Sequence, residues 1–96
     1  MKETKLRLGR VVATTGIDQK ANEDPEFKEF ISASLRRYIN RDWGDTCEED
    51  REWNDEALRN GERVLAVYIY PKTKQQIWII TEWNRSVTTV LFPEEY

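Results

Sequence analysis

The chain has 96 residues, four tryptophans, one cysteine, no histidine and a formal net charge of −3. That length makes one domain with a small core. A single cysteine rules out an internal disulfide, and the absence of histidine removes the commonest general base and transition-metal ligand.

Residues 6–14 alternate as a first strand, with Gly9 placed for a bulge or a close backbone approach. Residues 15–22 read as a loop. A helix is expected from Asp24 or Pro25, because Asp24 suits an N-cap, Pro25 the first helical position and Glu26 the first turn. At 100° per residue, Phe27, Phe30, Ile31, Ser34, Leu35, Tyr38 and Ile39 share one half of the wheel. Gly44 stops this helix. A second begins near Thr46, where Thr46 and Glu49 match a capping box, and ends at Gly61. Three strands follow, at 63–70, 76–83 and 86–92, joined by turns at 71–74 and at Asn84-Arg85.

The order predicts a single α+β domain spanning 1–96. It is a β-α-α-β-β-β chain whose four-stranded antiparallel or mixed sheet packs two helices on one face, with loosely ordered tails at 1–5 and 93–96. No run of eighteen apolar residues crosses a membrane, and the charged N-terminus does not fit a signal peptide. With the lone cysteine, these features point to a cytoplasmic protein.

The charge is unevenly spread. Residues 42–56 hold eight carboxylates against Arg51, a formal −7, and the remainder of the chain carries +4. Within the second helix, Glu48, Glu49, Glu52, Asp55 and Glu56 fall on one arc of roughly 120°. Such a row, repeating at about one helical turn or 5.4 Å, approaches the spacing of nucleic-acid phosphates. It suits a cationic partner and suggests occupation of a nucleic-acid site by mimicry. The plain alternative is a solvated helix face, with Arg59 pairing Asp55. Asp50 falls with Trp53, Ala57 and Leu58 on the apolar side, so a partly buried carboxylate bonded to a Trp indole or to Arg41 is expected there.

The sheet offers a second surface. If Leu65, Val67 and Ile69 face the helices, Tyr68 and Tyr70 face away; with Trp78 they would form an aromatic partner or dimer face, unless residues 15–22 or the N-terminal segment cover it. Enzyme signals are few. No Gly-rich phosphate loop or Ser-His or Cys-His pair is possible, no catalytic residue or cofactor is assigned, and the expectation is a protein that is not an enzyme. A metal-assisted carboxylate site from Asp42, Asp45, Glu49 and Asp50 is the remaining alternative, at a spacing too common to be specific. Arg10, Lys28, Arg36 and Arg37 form a separate basic set, but the acidic segment argues against direct nucleic-acid binding.

Residues 41–50 around Trp43-Gly44-Asp45, residues 60–63 with the strand after them, and the hairpin at 77–96 resemble a family of small plasmid-related proteins. These belong to plasmids, conjugative elements and phages of Gram-positive gut bacteria. The resemblance spans nearly the whole chain from Leu8. It implies a mobile-element setting and transfers no functional residue. In that setting the expected function is non-catalytic binding of a host protein through the acidic helix, with inhibition of a nucleic-acid-binding defence complex, such as a CRISPR or restriction nuclease, as one expected form of it. The alternative is a homodimeric accessory protein assembled through the sheet face.

Overall fold

The computed structural model describes residues 5–96. Its elements are β1 (Arg10–Ala13), α1 (Thr15–Glu23), α2 (Pro25–Ile39), α3 (Glu48–Asn60), β2 (Val64–Ile69), β3 (Gln76–Thr81) and β4 (Val87–Leu91), with a closing 3-10 turn at Pro93–Glu95. The sheet is mixed, in the order β1-β4-β3-β2. β2-β3-β4 is an antiparallel meander, and β1 lies parallel to β4, pairing Arg10 with Val87 through Ala13 with Val90. The α+β class holds, but the α-helices among the described residues number three.

The additional helix is α1, in the stretch the sequence pattern assigned to a loop. Only Ile17 of it is buried. Its N-terminus is held from far along the chain. Thr14 caps the N–H of Ile17, and Glu95 accepts hydrogen bonds from Thr14 Oγ1 (2.6 Å) and from the Gly16 N–H (3.1 Å). The same carboxylate accepts the Phe92 N–H at 2.9 Å, which folds 93–95 into a turn rather than the loose tail expected at 93–96. Those three donors hold the Glu95 carboxyl below the usual carboxylate range, Thr14 contributing most. The tail expected at 1–5 lies, except for Lys5, outside the described residues.

α2 follows its pattern. Asp24 accepts the N–H groups of Glu26 and Phe27, Pro25 opens the helix, and Phe27, Ser34 and Tyr38 are buried. Phe27 packs against Tyr70 and Phe92, and Tyr38 bonds Thr81 Oγ1 at 2.6 Å. The strand expected at 6–14 shortens to β1, preceded by residues that meet the C-terminal end of α2. There the Leu6 N–H bonds the Ile39 carbonyl at 3.0 Å. Gly9 makes the expected close approach: at φ +65°, a Cβ would collide with the Arg85 and Ser86 carbonyls.

The facing of β2 corrects the aromatic sheet surface. Val64, Ala66, Tyr68 and Tyr70 turn to the helices and are buried, while Leu65, Val67 and Ile69 turn away. Tyr68 is fixed by a bond from its hydroxyl to the Asp42 carbonyl (2.7 Å) and by the Arg37 guanidinium over its ring. Burial raises the Tyr68 phenol far above its ordinary pKa. Of the residues proposed for an outer aromatic face, only Trp78 lies there, and Tyr96 packs edge-on against it at 5.6 Å. The cover comes from the C-terminus rather than from the N-terminal segment or residues 15–22.

The candidate docking site on the third helix

α3 runs beside the sheet rather than across it. Its inner side offers Asn54 and Ala57, both fully buried, with Leu58 partly so. Asn54 Nδ2 donates to the Leu65 carbonyl (2.8 Å), and its Oδ1 accepts the Leu65 N–H (3.2 Å). This one side chain substitutes for an absent neighbouring strand. Gly61 ends the helix at φ 71° as expected, and Arg85 crosses to the Ala57 and Glu62 carbonyls at 3.3 and 2.8 Å.

The N-terminus differs from the capping box. Cys47 is the N-cap and gives no side-chain bond. Thr46 is buried instead, where its hydroxyl donates to the Trp43 carbonyl and accepts the Val67 N–H at 2.8 Å. With Thr46 committed to the sheet, Glu48, Glu49 and Asp50 in the first turn complement the helix dipole through their charge alone.

With its inner strip pinned, α3 turns Glu48, Glu49, Glu52, Asp55 and Glu56 to solvent, and all five are exposed. Ion pairs among the described residues join Lys20 to Asp24, Arg37 to Asp42 and Lys72 to Glu26. None of the five ridge carboxylates is in one, and Arg59 does not pair with Asp55 among these bridges. Among the described residues the tether on the ridge is the Trp43 indole, donating to Asp55 Oδ1 at 2.9 Å. The sequence pattern gave the indole a different partner: Asp50 is exposed and has no place in the apolar contact. The buried strip of α3 is confined to Asn54 and Ala57 and does not reach it.

Trp53 moves for the same reason. Placed by the wheel with Ala57 and Leu58, it is 53% exposed. It lines a shallow depression of about 440 Å³ with Glu49, Glu52, Asp55, Glu56 and Arg59. Aromatic rings flanked by carboxylates attract guanidinium and ammonium groups through both charge and ring quadrupole.

Asp42 and Asp45, in the same acidic segment, are structural. Arg37 grips Asp42 with two bonds, Nε at 2.8 Å and Nη2 at 3.2 Å, which holds the Asp42 carboxyl below its usual range. Asp45 accepts the Ile69 N–H at 2.9 Å. The metal alternative therefore loses its geometry: Asp42, Asp45, Glu49 and Asp50 do not converge, and no group of three or more candidate ligands exists among the described residues.

Behind the ridge lies a cleft of about 640 Å³ lined by Lys5, Leu6, Arg7, Arg41, Asp55, Leu58, Arg59 and Arg85. Its cations come from separate segments, so no local pattern announces it. Asp55 stands on the boundary between the two potentials. No helix among the described residues is long and apolar enough to cross a membrane. No protein-family model, curated protein or solved structure matches the chain.

Proposed function

We propose that this chain is a non-catalytic binding protein that docks through the α3 ridge onto a basic surface of another protein. The observation that carries this reading is the set of five exposed carboxylates, Glu48, Glu49, Glu52, Asp55 and Glu56, without an ion pair among the described residues. Carboxylates outside ion pairs project a concentrated field, which speeds encounter with a positive surface and selects against negative ones. Trp53 at the flank supplies an apolar anchor that a purely solvated helix face has no reason to expose.

A partner surface built to hold phosphates fits this ridge best, because its lysines and arginines are already spaced along a helical line of charge. The resemblance to mobile-element proteins directs the choice of partner to a nucleic-acid-binding defence complex of the host, whose activity docking would block. Nothing in this role requires a cofactor.

The test is affinity capture from host lysate with mass spectrometry, comparing the native chain with a triple variant, Glu49→Lys, Glu52→Lys and Glu56→Lys. The three side chains are exposed, so circular dichroism should be unchanged. Capture of a basic, nucleic-acid-binding protein is expected with the native chain, weakening as salt is raised, and loss of capture with the variant. Undiminished capture by the variant would place the docking surface elsewhere.

A further inference from the structure

We infer that β1 is a self-pairing edge, and that two copies of the chain join antiparallel through Arg10–Ala13 to make one continuous sheet. β1 is an outermost strand. Its inner side is fully engaged: the Arg10 N–H bonds the Ser86 carbonyl at 3.0 Å, and the Thr14 N–H bonds the Val90 carbonyl at 3.1 Å. In a parallel ladder of this register the N–H and C=O groups of Val11 and Ala13 therefore point away from the sheet. All four residues of the strand are exposed, with Val11 at 46% and Val12 at 36%. An extended apolar edge with no proline and no bulge is a template for another strand.

The chemistry of the strand selects a second copy as that strand. Centre an antiparallel pair on Val12, and Val11 of each chain faces Ala13 of the other. Both outward N–H groups and both outward carbonyls of each copy are then satisfied. Val12 meets its own counterpart at a non-hydrogen-bonded position, where side chains approach most closely and β-branched pairs are favoured. Arg10 falls opposite Thr14 of the other copy, so the one charge on the strand meets a hydroxyl rather than its like. Centring on Val11 or on Ala13 uses fewer of the outward groups.

Val12 shares its sheet face with Thr89, its partner on β4. Ile80, itself buried, pairs with Thr89 in turn, so pairing at Val12 carries that side of the sheet across the two-fold axis. The α3 ridge lies along β2, at the other edge of the sheet. Self-pairing leaves it free and gives the assembly two ridges, one at each end.

Sedimentation equilibrium of the full chain from micromolar to submillimolar concentration tests the inference, with Val11→Pro and Val12→Lys as variants. Val11→Pro deletes an outward N–H without touching the β1-β4 ladder. Val12→Lys sets two ammonium groups face to face across the axis and leaves the backbone unchanged. A reversible dimer is expected, weakened at least about tenfold by either variant. Should the proline variant fail to fold, the lysine variant decides, together with amide exchange in the native chain, where the Val11 and Ala13 N–H groups should gain protection as concentration rises. A native chain that stays monomeric at submillimolar concentration overturns the inference. So does a dimer that survives Val12→Lys, and so does a native chain that pairs only with a foreign strand.

Discussion

The two edges of the sheet are finished in opposite ways. Along β2, Asn54 takes both polar groups of Leu65, and Thr46 takes the Val67 N–H. The Asp45 N–H meets the Val67 carbonyl at 2.8 Å, and the Asp45 carboxylate meets the Ile69 N–H. Gly44, at φ 64° beneath the Tyr68 ring, lets the chain approach close enough for a lone parallel bridge to Val67. Among the described residues nothing comparable stands along β1, whose residues are all exposed. A protein that closes one edge with this much side-chain chemistry is not indifferent to open edges. The difference assigns them separate tasks: β2 is sealed so that α3 can be held beside it with its charges outward, and β1 is left available.

The largest effect should follow from breaking the closed edge. Asn54→Ala leaves the half-buried N–H and carbonyl of Leu65 without their partner and removes a fully buried side chain at the α3-β2 seam. A loss of roughly 2–4 kcal/mol is expected, read by urea denaturation. In a domain of this size that lowers the melting temperature by roughly 10 °C or more. A change of a few tenths would mean that water or a shifted α3 replaces Asn54 easily, and that the edge is less sealed than its geometry suggests.

A smaller effect is expected where β1 hands over to α1. Glu95 ties Thr14, Gly16 and Phe92 together, so Glu95→Gln should cost roughly 1–2 kcal/mol at neutral pH. The native carboxyl is held below its ordinary value of 4.5. A folded value under the unfolded one stabilises the fold while the carboxylate is charged. That contribution is complete above the unfolded value and disappears as pH falls through 4.5 toward the folded value. The stability gap between the native chain and the Gln variant should accordingly close on acidification. A gap constant with pH would show that packing, rather than the charged hydrogen bonds, anchors the turn.

Much of the closed side was legible in the sequence, and little of the open side. α2 announces itself through Asp24, Pro25 and a clean apolar stripe, and the acidic arc of α3 follows from spacing alone. Thr46 reads as a helix cap in the sequence because a capping box and a sheet-edge clamp use the same hydroxyl, and only tertiary context decides which N–H claims it. The facing of β2 was undecidable locally, since both of its faces are apolar. Trp53 was assigned inward because a wheel ranks residues by type, whereas α3 presents only the strip around Asn54 and Ala57 to the sheet. α1 has a single buried residue, and its local cap, Thr14, is itself held by Glu95 near the other end of the chain, so a window of sequence contains only part of the reason it is helical. The cleft lined by Lys5, Arg7, Arg41, Arg59 and Arg85 is hidden in the same way, because the chain path alone brings those cations together.

The smallest effect belongs to the open edge, and its smallness is the informative part. In dilute solution, where a chain is alone, Val12→Lys should change stability by no more than about 0.5 kcal/mol. The side chain is already 36% exposed and stands on an outermost strand, and a lysine there keeps its stem on Thr89 while its ammonium reaches water. At high concentration the same variant should unfold earlier than the native chain, because only the native chain gains stability from association by mass action. Thermal melts at two widely separated concentrations make the comparison. Coincident curves when dilute and divergent curves when concentrated would show that Val12 contributes between chains and not within one. Divergence already present in dilute solution would mean that Val12 supports the fold itself, and that β1 is open only in appearance.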